Sequence, residues 1–150
     1  MPRMPLGVML GIRADFAARL RRIEEAGFTT MQLSTPPPEY MVEPKLGELK
    51  GLIAGSGIAV TSVAAVYAGE SYADVATVRR TVGLLPRETR ASRVEDTKRV
   101  GDFAKALGAP NVSSHIGYIP EDRGDPDYQG LVAAVQAICD YLAGQGQSFC

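Results

Sequence analysis

The stretch Ile58-Ala59-Val60-Thr61-Ser62-Val63-Ala64-Ala65-Val66 decides the fold class. It is β-branched and apolar nearly throughout, the composition of a strand covered on both sides. Parallel strands of that kind need crossover connections, usually helices, and the flanks supply them. Just upstream, Leu46, Leu49 and Ile53 share one helical face. That helix starts near Pro44, whose fixed φ and missing donor are harmless in a first turn, and Gly55-Ser56-Gly57 ends it. Further back, Thr29 to Ser34 (TTMQLS) predicts a strand closed by the stiff Pro36-Pro37-Pro38 turn. Leu6 to Leu10 predicts a first short strand. Between the two, Phe16, Leu20 and Ile23 form the apolar face of a helix that Asp15 can cap and Gly27 can end.

Downstream the alternation continues. A long polar stretch from Tyr67 to about Ser92 precedes a helix carrying Val100, Phe103, Ala104 and Leu107, stopped by Gly108 and Pro110. Asn111 to Ile116 (NVSSHI) predicts a fourth strand. Asp125 as cap and Pro126 in the first turn then open a helix with Leu131, Val132, Val135, Ile138, Cys139 and Leu142 on one face. After Gly144-Gln145-Gly146, Ser148-Phe149-Cys150 reads as a strand that has just begun. The order β-α-β-α-β-α-β-α-β argues for a single α/β domain with a parallel sheet and right-handed crossovers.

Composition excludes several function classes. With 16 basic and 17 acidic side chains among 150 residues, the net charge of −1 gives no field to attract nucleic acid or anionic lipid. The opening Met-Pro-Arg-Met-Pro-Leu and the apolar run ending at Gly11 are too short for a signal peptide, and no later run reaches membrane-spanning length. Cys139 and Cys150 are too few for a disulfide framework and lack a metal-binding spacing, so Cys139 is expected to be a small buried thiol. These features predict a cytoplasmic protein.

Two architectures suit this order. A flavodoxin-like open sheet accommodates five strands in 150 residues, whereas a complete (β/α)₈ barrel needs about 250. Against the open sheet, Leu10-Gly11-Ile12-Arg13-Ala14-Asp15 after the first strand is neither GxGxxG nor a GxxxxGK[ST] loop. The chain also stops inside an apolar strand with no helix to cover it, which favours an incomplete barrel. The pattern by itself leaves both open.

Several segments in order resemble the xylose isomerase-like barrel superfamily, in its sugar phosphate isomerase/epimerase branch. They are Leu6-Gly7-Val8, Glu24-Glu25-Ala26-Gly27-Phe28, Met31-Gln32-Leu33 and the helix Thr97 to Ala109 (TKRVGDFAKALGA). Ser114-His115-Ile116-Gly117 resembles that family's H-x-G at the end of the fourth strand. The resemblance implies that residues 1–150 are the N-terminal portion of a TIM barrel, about four βα units and the start of a fifth strand. It also implies a divalent metal (Mn, Mg, Co or Zn) at the C-terminal mouth and a sugar or sugar phosphate as substrate. In the family the metal sits mainly on acidic and histidine side chains of strands five to eight, and the barrel phosphate site follows strands seven and eight. Neither set is present here, so the chain is expected to bind no metal alone and to be inactive alone. The chemistry implied for the parent is isomerisation or epimerisation beside a carbonyl, through an enediolate or by hydride shift. Two alternatives remain: a non-catalytic half-barrel that self-associates through exposed edges, and an endonuclease acting at abasic DNA sites. One histidine and a net charge of −1 count against the second.

His115, the only histidine, is the first candidate for catalysis, since barrel enzymes place functional groups at the C-terminal ends of strands. Neutral imidazole there can ligate a metal or hold a substrate hydroxyl; the alternative is a histidine hydrogen-bonded beneath the following loop. Gln32 suits hydroxyl recognition, or is a satisfied core amide. Tyr67 and Glu70 open the long loop after the third strand, which is expected to overhang the mouth as a lid and contact substrate. Arg87, Arg90 and Arg93 stand three apart. They either approach an anionic substrate together, with Arg90 at the centre, or form a solvated helix start beside Glu88 and Glu95. Asp122, Arg123 and Asp125 follow the fourth strand, Asp125 as a helix cap.

Overall fold

A computed structural model describes residues 5–150; the Met1–Met4 part of the leader reading lies outside the described residues. Five strands alternate with helices: β1 (Gly7–Leu10), α1 (Phe16–Glu25), β2 (Thr30–Ser34), α2 (Lys45–Ser56), β3 (Ala59–Ala65), α3 (Val75–Thr81), α4 (Arg87–Ala106), β4 (Asn111–Ser114), α5 (Pro126–Ala143) and β5 (Ser148–Phe149). A short 3-10 turn, Pro38–Met41, follows the proline run after β2. All pairings are parallel and the strand order is β1-β2-β3-β4-β5.

That order separates the two architectures. A doubly wound sheet reverses its strand order at a switch point and carries helices on both faces. Here each crossover steps one strand the same way, so the long crossover helices α1, α2, α4 and α5 fall on one face, as around a barrel. Burial agrees. Met31, Leu33, Val63 and Val112 are wholly buried beneath the helices, together with Ile138 and Leu142 of α5. Removing each such side chain from water contributes about 1.5–3 kcal/mol. The opposite face is open: Met9 of β1 is 68% exposed and Val66, just past β3, 55%. β3 is therefore covered on one side rather than two. Its apolar composition suits a barrel interior, and in this chain that interior faces outward.

A bulge between β2 and β3 sets the register that matters for function. Met31 pairs with Val60 but Gln32 pairs with Ser62, so Thr61 is the extra residue. The Thr61 hydroxyl donates to the Met31 carbonyl (3.1 Å) and its own carbonyl accepts from Asn111 Nδ2 (2.9 Å). The slip brings Ser62 alongside Gln32 on the open face.

Helix boundaries follow local chemistry. Asp125 caps α5 by accepting from the Asp127 amide at 2.7 Å, with Pro126 in the first turn. Asp15 occupies the cap position of α1 without a side-chain cap bond. The stretch expected as a polar loop differs most. It contains α3, capped by Asp74 on the Thr77 amide (2.7 Å), and α4 begins already at Arg87. Between the two helices, Val82, Leu84 and Leu85 are buried. The segment is a docked plug rather than a free lid. Cys139 is half-buried and Cys150 exposed, because Cys139 lies at the border of the α5 face whose centre is Leu131, Ala134, Ile138 and Leu142. Among the described residues no helix is long and apolar enough to cross a membrane.

Candidate functional site

Strand periodicity positions the site. Side chains alternate across a sheet, so residues flanking the buried Met31, Leu33 and Val112 point to the open face: Gln32, Ser34 and Ser113, with His115 one step beyond β4. These four line a cleft of about 470 Å³ at the C-terminal ends of the strands, together with Met9, Ala64 and Val66. Glu70 and Tyr72, from the segment after β3, form its far wall.

The floor is a closed polar set. Gln32 Nε2 donates to Ser113 Oγ (2.7 Å) and to Ser62 Oγ (3.3 Å), and Ser62 Oγ donates to Ser113 Oγ (3.1 Å). Both amide protons of Gln32 are thus spent inward. Its carbonyl oxygen remains an acceptor and the Ser113 hydroxyl proton remains a donor. That pair is complementary to a sugar hydroxyl.

The wall centres on Tyr72. Tyr72 Oη shares a hydrogen bond with His115 Nδ1 at 2.8 Å and makes a longer one, as donor, to Glu70 Oε2 at 3.5 Å. The rings meet edge to face, with centroids 5.8 Å apart at 81°. Partial desolvation, reinforced by the neighbouring Glu70 charge, holds the Tyr72 phenol above its ordinary pKa. The other Glu70 oxygen accepts from the Gly83 amide at 2.8 Å, which ties the carboxylate to the buried plug.

The plug in turn rests on the H-x-G segment. Leu84 N donates to the Ile116 carbonyl (2.9 Å), and Gly83 and Gly117 lie back to back with φ of 69° and 94°. A Cβ on Gly83 would fall on the Ile116 carbonyl group, and one on Gly117 on the Val82 carbonyl oxygen. Only glycine permits both this conformation and this approach.

The remaining candidates lie elsewhere. Tyr67 is 5% exposed and turns away from the cleft to donate to Thr97 Oγ1 (2.7 Å), whose own proton goes to the Arg93 carbonyl (2.7 Å). Burial pushes the Tyr67 phenol up. The three arginines diverge, because each step of three residues falls about 60° short of a full helical turn. Arg87 is exposed and pairs with Asp127. Arg90 donates to the Leu84 and Leu85 carbonyls and to Asp127; it does not line the cleft. Arg93, 4% exposed, donates to the carbonyls of Gly83 (2.6 Å) and Ala68 (3.3 Å), its guanidinium 5.1 Å from the Tyr67 ring centroid. Neither a shared anion site nor a solvated helix start describes them. Asp122 accepts from the Gly124 amide (2.8 Å), and the Arg123 carbonyl accepts from Gln129 Nε2 (2.5 Å).

Sequence reasoning brings His115, Gln32 and Glu70 to the cleft and misses Tyr72, Ser62 and Ser113. Ser113 carried a signal, since it shares the period-2 face of His115. Tyr72 carried the weaker one of lying two residues beyond Glu70 in a single loop.

The donor set does not amount to a metal cage. Among the described residues no three His, Cys, Asp or Glu side chains cluster. His115 with Glu70 falls short of the four or more ligands that zinc or the harder divalent cations take.

The fold has known counterparts. A xylose isomerase domain protein from Planctomyces limnophilus is 36% identical, with a TM-score of 0.88 over 99% of this chain and 52% of that one. A D-psicose 3-epimerase from Clostridium cellulolyticum H10, solved with D-tagatose, is 18% identical at a TM-score of 0.69, over 98% of this chain and 51% of its own. A xylose isomerase-like TIM barrel protein from Mycobacterium smegmatis, in complex with magnesium, is 18% identical at 0.65, over 97% and 53%. At such identities the last two share the fold. The chain spans about half the length of these solved structures. No curated protein matches it. The family described as xylose isomerase-like TIM barrel matches residues 20–150, and with the sequential parallel sheet this places the chain in that family, as a half-barrel.

Proposed function

We propose that this chain supplies the N-terminal half of the substrate cleft of a sugar or sugar phosphate isomerase or epimerase, and that it is inactive by itself. One observation carries the reading. A proton-exchanging imidazole, His115, stands over a polar floor whose free groups, Gln32 Oε1 and the Ser113 hydroxyl, form an acceptor–donor pair suited to a sugar hydroxyl. In such a site Gln32 and Ser113 orient the substrate, while His115 exchanges a proton with a hydroxyl near the reacting carbonyl. Met9 and Val66 offer apolar contact to the carbon face of the sugar. A divalent metal held by the rest of a full barrel would supply positive charge beside the reacting carbonyl. The residues described here do not complete a cage for it, which is why turnover is not expected from them.

The test is a titration of the 150-residue chain with ketohexoses and ketose phosphates, followed by NMR at the His115 ring and the Gln32 side-chain amide. Both signals are expected to move at millimolar sugar. If neither moves with any sugar of the panel, the cleft reading fails. Assays of the same chain with manganese, cobalt or magnesium are expected to give no turnover, and robust turnover would refute its inactivity.

A further inference from the structure

We infer that Tyr72 is a positioning residue for His115: its hydroxyl, turned toward the Glu70 carboxylate, accepts from Nδ1–H and so leaves Nε2 unprotonated. The geometry is the starting point. One hydroxyl carries one proton, and Tyr72 Oη has two neighbours, His115 Nδ1 at 2.8 Å and Glu70 Oε2 at 3.5 Å. If the proton pointed at His115, the phenol oxygen would turn its lone pairs toward an ionised carboxylate with no hydrogen between them. If it points at Glu70, the oxygen is free to accept from the imidazole. A carboxylate accepts only, and an Nδ1–H donates only, so the second arrangement satisfies all three groups and the first leaves one repulsive contact.

Glu70 does not drift away from this task. Its other oxygen is held by the Gly83 amide at 2.8 Å, and Gly83 rests on Gly117, two residues beyond His115. The segment that carries the carboxylate and the segment that carries the imidazole are indexed to each other by this approach and by the hydrogen bond from Leu84 N to the Ile116 carbonyl. Tyr72 spans the gap between them, its own ring edge to face with the imidazole. Nε2 has no hydrogen-bond partner among the described residues, and His115 lines the cleft.

The consequence is chemical. An Nε2 lone pair can accept a proton from a substrate group, whereas an Nε2–H can only donate. The inference rests on the proposed cleft for its use in catalysis, but the tautomer is measurable with no sugar present.

Because His115 is the sole histidine, its ring is an unambiguous probe. The full 150-residue chain, labelled with ¹⁵N, would be recorded in a long-range ¹H–¹⁵N experiment at about pH 8, above the ordinary imidazole value of about 6.5. The expected spectrum has a protonated Nδ1 and an unprotonated Nε2. Tyr72→Phe, which keeps the ring and removes the hydroxyl, is expected to move the majority population to Nε2–H while the backbone amide spectrum stays folded. Glu70→Gln, which removes the charge that turns the hydroxyl, is expected to move it the same way. A wild-type ring found as Nε2–H overturns the inference without any variant, and so does a folded Tyr72→Phe protein that stays Nδ1–H. Should the tautomers behave as expected while no sugar perturbs the ring, the cleft reading falls and the role of Tyr72 stands.

Discussion

Gly117 shows how much a single residue carries. It is the glycine of the H-x-G segment, yet it touches nothing in the cleft; its missing side chain lets the Val82 carbonyl sit against its α-carbon. Its φ of 94° lies where L side chains are strained. Gly117→Ala is therefore expected to lose about 1–3 kcal/mol from backbone strain, with the steric clash added, and to lower the denaturant midpoint. An unchanged midpoint would mean the two loops are not locked together. The arginines teach the converse. Arg87, Arg90 and Arg93 look like one cluster in the sequence, but helical geometry sends them to an exposed ion pair, a pair of loop carbonyls and a buried pocket.

At the scale of elements, α3 is the instructive case. Seven residues long, it lacks a fully buried side chain of its own and depends on its cap and on the plug behind it. Short helices are marginal in water because nucleation fixes several residues for one hydrogen bond. Asp74→Ala removes the cap on the Thr77 amide, a change worth about 1 kcal/mol. Amide exchange across Val75–Thr81 should then quicken roughly fivefold, with the α4 and α5 amides unaffected. Exchange that stays as slow as in the parent would show that the plug, not the cap, holds the helix. The same plug docks the segment after β3 more closely than its polarity suggests: Val82, Leu84 and Leu85 anchor it, and Arg93 clamps both of its ends through the Ala68 and Gly83 carbonyls.

At the scale of the molecule, the described residues form a sheet with one covered face and one open face, whose edge strands β1 and β5 each pair on one side only. Met9 and Val66 put apolar surface on the open side, and an uncovered edge offers a row of backbone donors and acceptors. In solution the 150-residue chain is expected to self-associate in a concentration-dependent way, visible by sedimentation velocity. The double variant Met9→Lys, Val66→Lys should shift it toward monomer, since charged side chains on an open sheet face resist pairing. A wild-type chain that stays monomeric at tens of micromolar would show that the open face does not drive association.

Local chemistry made the elements legible. Period-3.6 and period-2 patterns, Pro44 at the cap position one residue before α2, Pro126 in the first turn of α5 and the Asp125 cap each act within a few residues of chain, so α1, α2, α5 and all five strands could be read from the sequence. His115 was legible for the same reason, as a polar residue at a strand's end. Strand order was not, because it depends on which way each crossover steps across the sheet, and the patterns suit an open sheet and a half-barrel alike. The bulge at Thr61, the contact between Gly83 and Gly117 and the meeting of Tyr72 with His115 join residues 30 to 43 positions apart. Such pairings leave no periodic trace in the sequence. They exist only once the chain has closed on itself, which is why tertiary structure alone decided the shape of the cleft.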